Sequence, residues 1–461
     1  MSLLSLVNTT RIPASAIKAR RLGAAPLARD PYAPNYEIII RGGQGAQPVT
    51  LDDSIKKYID EISFEDNADQ FDSLNITFSN QVDAMGGGQI LSLLDSKIFA
   101  EGHILEIMMG WGKTLRTVGA ARIAKVLPDF PESGPPSFTI EGFDLLHKAS
   151  RNRPKGGVSY KGFRDSQVAS IIGSRNGFDI KVTDPRSFDG IRKTVGVFDR
   201  IQKKGVSDYE FLKKVAEING YDLYSKFNPN LKKFGLFFQP GALKNQKEVF
   251  TFVYNEGDID FNSTLLSYTP SLDSADQGTD FEIFIVKNKE VGGTKVDFIN
   301  RLTTEEQKKI KVDQERRFTG GNFGPQGGKQ TPNDDSIQVA FKAFGRSFRF
   351  PQHKRFKDEF TARRAIEQFV IRQKENFITG TGELKGQEAV QSRQVHNLQG
   401  LGQRFSGKYY FTQVTHTINK SSGYRSSFSA RKVIDDTVVQ SPPTLNLSDN
   451  DKTLEKIKGL R

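Results

Sequence analysis

The chain has 461 residues, roughly three domains' worth at ordinary domain sizes. Its 66 Lys and Arg against 54 Asp and Glu leave a formal charge of +12, and its 35 Phe and 12 Tyr are ample for several apolar cores. Cysteine is absent, which excludes disulfides, thiolate metal centres and cysteine nucleophiles; five histidines argue against a multi-histidine metal site, and no apolar run approaches the ~20 residues of a membrane-spanning helix.

Residues 1–35 read as a basic, flexible arm that orders on a partner. Arg11, Lys18, Arg20 and Arg21 follow the apolar Leu3, Leu4, Leu6 and Val7, the reverse of the charge-first order of a secretory leader. No acid precedes Arg29, a trait shared with organelle transit peptides. From Tyr36 the pattern turns to strands. Tyr36–Ile40 leads to the Gly-rich turn at Gly42, Gly43 and Gly45. Ile62 and Phe64 alternate before a polar turn at Glu65-Asp66-Asn67, and Leu74, Ile76 and Phe78 alternate after it. Further strands are expected at His103–Met109, Arg116–Val118 and Ala121–Leu127, then, after the Pro-rich break Pro128–Pro136, at Ser137–Asp144. Period-two runs with turn chemistry between them predict antiparallel sheet with one buried face, as a barrel or sandwich.

The middle of the chain holds an internal echo. Asp165, Val168, Ala169, Ile172 and Asn176-Gly177-Phe178 recur at equal offsets as Asp208, Phe211, Leu212, Val215 and Asn219-Gly220-Tyr221. Apolar residues three, four and seven after each Asp share one helical face, which predicts two short amphipathic helices. The Asp reads as a capping residue, Ser207 with Glu210 as a capping box, and the Asn-Gly-aromatic end as a left-handed stop. Strands resume at Leu236–Phe238 and Phe250–Tyr254. Ser271 to about Asp335 is polar and Gly-rich and reads as loops or an insertion. Lys342–Lys374 carries ten Lys or Arg against three acids, and its second half, continuing from Glu359 to Phe377, reads as a helix. A hairpin closes the fold, with strands Tyr409–Ile418 and Tyr424–Arg431 about a turn at Lys420–Gly423. A polar tail follows.

Catalytic signatures are sparse. Gly112-Lys113-Thr114 lacks the upstream Gly of a phosphate loop, since Ile107 stands there, and reads as a turn between strands. Gly400-Leu401-Gly402 lacks the third Gly of a dinucleotide fingerprint. His416 sits mid-strand between Thr415 and Thr417 and reads as a satisfied histidine on a sheet face rather than a general base. The pairs Asp52-Asp53 and Asp435-Asp436 read as turn and cap residues. Trp111, the sole tryptophan, reads as a buried strand end, with a sugar platform as the other option. In Lys342–Lys374, Phe344, Phe348, Phe350, Phe356 and Phe360 interleave with the cations, the pattern of a single-strand nucleic-acid groove as well as of a solvated face over core aromatics.

Several segments together resemble the baseplate hub proteins of contractile-tailed bacteriophages, the late control D family, and the hub part of type VI secretion spike proteins. They are Asp66–Phe78, Arg122–Pro131 with Phe138–Asp144, the helix Gly205–Tyr221, and the closing Gly400–Tyr424 with its Val414-Thr415-His416 strand and Gly423-Tyr424 turn. In order, they run from about Tyr36 to Lys432. The resemblance implies a mainly β (α+β) fold with two tube-protein-like antiparallel β-barrels, short helices and inserted α/β and loop regions. The first barrel is placed at 36–150, a small α+β region at 151–250, a second barrel at 251–436 with an insertion at about 271–395, and the polar tail at 437–461. It further implies a non-enzymatic virion part without metal or cofactor, made in the host bacterial cytoplasm. Three copies form a pseudo-sixfold ring between the hexameric tail tube, or a tube-initiator protein, and a trimeric spike, with wedge or tape-measure proteins as further partners and DNA passing through the lumen. Because the chain stops soon after the hairpin, the spike is expected to be a separate protein. Arg11, Lys18, Arg20, Arg21, Arg346, Arg349, Lys354 and Arg355 are the candidate contacts for partners or lumen, and the positive charge suits either use. A cell-wall glycosidase with unlocated carboxylates and a nucleic-acid binder through 342–374 are the alternatives.

Overall fold

The computed structural model describes residues 33–42, 47–79, 92–183, 200–219, 221–240, 248–254, 264–273, 280–281, 284–291, 294–301, 348–349, 355–356 and 375–433. The first part comprises β1 (Pro34–Arg41), β2 (Val49–Thr50), the one-turn helix α1 (Asp53–Lys56), β3 (Ile59–Asn67), β4 (Ser73–Ser79), β5 (Ile104–Trp111), β6 (Thr114–Asp129) and β7 (Ser137–Phe143). The middle comprises α2 (Leu145–Arg151), β8 (Val158–Tyr160), α3 (Asp165–Asn176), β9 (Asp179–Val182), β10 (Arg200–Gln202), α4 (Asp208–Asn219), β11 (Tyr221–Asn228) and β12 (Lys233–Pro240). The last part comprises β13 (Thr251–Val253), β14 (Leu265–Leu272), β15 (Asp280–Phe281), β16 (Phe284–Val291), β17 (Thr294–Arg301), β18 (Phe348–Arg349), β19 (Arg355–Phe356), β20 (Ile378–Lys385), β21 (Val395–Gln399), α5 (Gly402–Phe405), β22 (Gly407–Asn419) and β23 (Gly423–Lys432). The fold is mainly β with antiparallel pairing dominant, as the alternation predicts.

Thirteen strands form one sheet in the order β14-β20-β23-β22-β3-β4-β7-β6-β5-β1-β2, with β21 also on β22 and β13 on β21. First and last parts are therefore joined by backbone hydrogen bonds. The long strand β22 is the splice: Gln413–Asn419 pairs with β3, while Gly407–Tyr410 pairs with β21. A register shift between Phe411 and Gln413 separates the two uses.

The sheet carries two apolar cores. One is built by Ile38, Ile62, Phe64, Ile76, Ile107 and Phe138 from β1 and β3–β7. The other is built by Phe252, Leu265, Leu384, Phe411, Val414 and Phe428 from β13, β14, β20, β22 and β23. Around the first core the sheet curls: a Cβ on Gly119 of β6 would lie 2.0 Å from the Phe64 ring of β3, three strands away in the ladder. Gly119→Ala is therefore expected to lower stability by about 1–3 kcal/mol through overpacking. A melting temperature equal to the parent's would show that these strands do not meet.

The internal echo folds as two helices on a third core, with Val168, Ala169 and Ile172 buried on α3 and Phe211, Leu212 and Val215 on α4, at the offsets expected. Ser207 and Glu210 form the capping box, Ser207 N donating to Glu210 Oε2 at 3.1 Å and Glu210 N to Ser207 Oγ at 3.2 Å. Gly177 ends α3 with φ 88°, and Phe178 N reaches Gly173 O at 3.1 Å. Gly220 lies outside the described residues. The two Asp residues are not caps. Each lies inside the first turn and accepts from the closing Asn of the other helix, Asn176 Nδ2 to Asp208 at 2.8 Å and Asn219 Nδ2 to Asp165 at 2.7 Å. Arg175 and Arg200 bind the same carboxylates, Arg200 at 2.9 Å through both Nε and Nη2. The repeat is thus a reciprocal latch, which a local capping argument cannot show.

Three other expectations shift. Glu65-Asp66-Asn67 is strand, because Asp66 and Asn67 find partners more than 300 residues away. The two runs at 116–118 and 121–127 are the single strand β6, bulged at Val118. β20 falls inside the stretch read as insertion, yet pairs with both β14 and β23. Its Gly380 and Gly382 make room for the Tyr268 and Phe428 rings, so the strand lacks an apolar pattern. The helix expected at 359–377 lies outside the described residues, apart from its last three positions.

Candidate functional site

Opposite the two cores, the continuous sheet presents one polar face. Cross-strand neighbours run Ser267–Glu383–Ser427–Thr415–Glu65–Ser73 from β14 to β4, and Lys385–Arg425–Thr417–Ser63–Asn75–Glu141 from β20 to β7, the cations standing at one end of the second row. Two further rows, through Thr269, Thr381, Ser429 and Gln413 and through Asn419, Glu61, Thr77 and Thr139, have the same character. Threonine and serine satisfy the pleat while staying wet. The charges on this face are mostly answered locally. Asn419 donates to Glu61 at 2.7 Å, Asn67 to Glu65 at 2.9 Å, and Lys125 of β6 to Glu141 at 2.6 Å. Arg425 stands 3.9 Å from Glu383. A chain with twelve excess positive charges thus shows mainly hydroxyls, amides and carboxylates along its main sheet.

The junction of the three parts is held by a buried ionic cluster. Arg393, at the left-handed φ of 65°, sends its guanidinium to Asp66 Oδ1 at 3.1 Å and to Asn67 O at 2.7 Å. It stands 3.8 Å from Asp72 and lies over the Tyr224 ring of β11 at 4.2 Å. Ser392 adds two bonds to Asp66, from its backbone N at 3.0 Å and its hydroxyl at 2.5 Å. Burial opposes charge on Asp66, but Arg393 and Ser392 outweigh it and hold the carboxyl below its usual range. Asp72 is pushed well up by burial and by Asp66 and Asp144 beside it; Asp144, which caps α2, is pushed up to about 7 chiefly by burial. A cleft of about 280 Å³ opens beside the cluster, lined among others by Thr117, Tyr224, Lys226 and Arg393. No group of three or more His, Asp or Glu among the described residues is placed to hold a metal ion.

His416 is fully enclosed, with Nε2 at 3.0 Å from Val390 O and Nδ1 accepting from Tyr424 Oη at 2.9 Å and Ser426 Oγ at 3.1 Å. Burial lowers its pKa to about 4 and keeps it neutral. It is the satisfied sheet histidine expected, and its Ser426 neighbour is equally sealed from substrate. Trp111 closes a strand end, donating to Gly386 O at 2.8 Å, and Gly112-Lys113 is the turn between β5 and β6. Asp52 caps α1; Asp435 and Asp436 lie outside the described residues. So do Arg11, Lys18, Arg20, Arg21, Arg346 and Lys354, while Arg349 and Arg355 fall on the short strands β18 and β19. The two described candidates lie on separate small sheets, β15-β18 and β17-β16-β19. The structure shows instead the sheet face and the Arg393 cluster. Neither carries a local motif; the pairing of β22 with β3, as at Thr415–Glu65 and Thr417–Ser63, makes the face continuous.

No helix among the described residues is long and apolar enough to cross a membrane. No curated protein matches the sequence. A family profile for the Alg8 N-terminal domain matches residues 363–420, a stretch that stops between β22 and β23 and so covers no complete core. Solved structures match over most of the chain. The prophage MuSo2 43 kDa tail protein of Shewanella oneidensis superposes with a TM-score of 0.52 at 11% identity, over 86% of this chain and 98% of that one. The tail protein of Neisseria meningitidis MC58 gives 0.54 at 9%, over 87% and 98%. An E. coli type VI secretion component, described as similar to the T4 tail proteins gp27 and gp5, gives 0.44 at 10%, over 85% and 76%. The chain has the fold of the first two tail proteins.

Proposed function

We propose that the chain, folded like prophage tail proteins, is a non-catalytic baseplate hub. Three copies form a pseudo-sixfold ring that joins a hexameric tail tube, or a tube initiator, to a trimeric spike. The observation that carries this reading is one sheet running through two cores, so that three chains supply six sheet modules. Rotational closure makes each subunit contact heterologous and self-limiting. The polar sheet face suits the inner wall of such a ring. DNA adheres to proteins through rows of Lys and Arg, and a wall of hydroxyls and carboxylates lets the polyanion pass. On this reading the protein belongs to the virion, is made in the host bacterial cytoplasm, and takes part in envelope penetration and DNA passage. Wedge or tape-measure proteins are further partners. Light scattering of the purified chain is expected to give the trimer mass, and electron imaging a threefold ring with a central hole. A monomer at high concentration overturns the proposal.

A further inference from the structure

Two exposed patches of opposite charge remain outside these roles. The β6–β7 hairpin ends in Leu127-Pro128-Asp129-Phe130-Pro131-Glu132, all solvent-exposed, with Phe130 62% and Leu127 44% accessible. Between Val126 and Ser137 it has no Lys or Arg, and neither Asp129 nor Glu132 makes an ion pair among the described residues. Its four prolines, Pro128, Pro131, Pro135 and Pro136, stiffen the tip, so little entropy is lost when it docks.

The β8–β10 ribbon is the counterpart. Its inner face is sealed by Tyr160 and Gln202, which hydrogen-bond at 3.1 Å, and its outer face shows Ile201, 60% accessible, opposite Ser159. Exposed cations surround that apolar spot: Lys155 and Lys161 flank β8, and Lys203 and Lys204 follow β10. Register places Lys203 and Lys204 beside the 155–157 segment, and Phe163, 41% accessible, lies just beyond. Residues 151–164 contain no acid. The described carboxylates beside the ribbon are already engaged: Asp165 binds Arg200, Asp208 accepts from Gln202 and Arg175, and Glu210, which senses Arg153, is committed to its capping box.

We infer that the hairpin tip of one copy docks on the β8–β10 ribbon of the next, Phe130 against Ile201 and Asp129 and Glu132 among Lys155, Lys161, Lys203 and Lys204. An apolar centre with a charged rim has the anatomy of a protein contact, and complementary charge selects the docking partner. The contact is heterologous, as a closed ring requires. It rests on the trimer reading and deepens it.

The test is charge exchange in the full chain. D129K/E132K and K203E/K204E are each expected to weaken self-association at least tenfold, with unchanged circular dichroism because all four side chains are exposed. Combining them in one chain restores the trimer, because every contact is again complementary; mixing the two variants restores only pairwise association, since a ring of three keeps one like-charged contact. A second measurement uses the cysteine-free background: Phe130→Cys chains mixed with Ile201→Cys chains form a disulfide-linked dimer under mild oxidation, and neither variant does so alone. If the parent is trimeric but the exchanges leave it so and no heterologous cross-link forms, this contact is wrong and the trimer stands. If the parent is monomeric, the trimer reading itself has failed.

Discussion

Arg393→Met is expected to destabilise the chain by about 3–5 kcal/mol, because it leaves the Asp66 carboxylate buried without its cation. The arginine touches β3, the loop before β4 and β11 together, through Asp66, Asp72 and Tyr224. Two comparisons separate the charge from the backbone. Arg393→Gly relieves the left-handed φ of 65° yet removes the guanidinium, so it should fare no better than the Met variant by more than about 1 kcal/mol. Arg393→Lys keeps a charge but loses the fork that serves Asp66 and Asn67 O at once, and should fall between parent and Met. The loss should also shrink in acid, since protonating Asp66 removes the unpaired charge. Chemical denaturation at neutral pH and near pH 4 reads both effects. A Met variant as stable as the parent would mean that the cluster does not hold the junction.

His396→Phe is expected to raise stability. Both ring nitrogens are buried without a hydrogen-bond partner among the described residues. The ring stacks parallel to Phe250 at 5.7 Å and lies 4.4 Å from Phe411. An unsatisfied buried polar group costs about 1–3 kcal/mol, and phenylalanine removes that cost in surroundings already aromatic. Burial drives the histidine pKa from 6.5 to about 3. The folded state therefore binds this proton less readily than the unfolded state. The contribution of His396 falls as pH drops from 6.5 towards 3, by at most about 1.4 kcal/mol per unit. Asp144, with its pKa raised to about 7, has the opposite slope, contributing less as pH rises from about 4 to 7. Comparing parent with variant cancels that second term, so the advantage of the Phe variant should widen steadily below pH 6.5. A constant or shrinking difference would contradict the buried, unpartnered ring.

Legibility followed the range of the interactions. Alternation found β1, β3–β5, β7 and the closing hairpin, because each buries one face through neighbours in sequence. The helical echo was visible for the same reason, and so was the quiet role of His416, whose hydroxyl partners lie within ten residues. What escaped was non-local. Asp66 and Asn67 looked like a turn because their partners lie beyond position 390. The latch Asp residues looked like caps because the Asn each one grips belongs to the other repeat. Strand β20 was hidden by glycines whose purpose is set by rings on other strands. The polar face was legible residue by residue but not as a surface, since its continuity depends on β22 joining β3.

That splice also sets how the molecule bears load. Seven register pairs, Gln413–Asn67 through Asn419–Glu61, tie the two halves through the main chain. A pull along these antiparallel strands meets its hydrogen bonds side by side, so they resist in shear rather than opening one after another like a zip. Force arriving at one core reaches the other through a stiff main-chain seam rather than through a hinge.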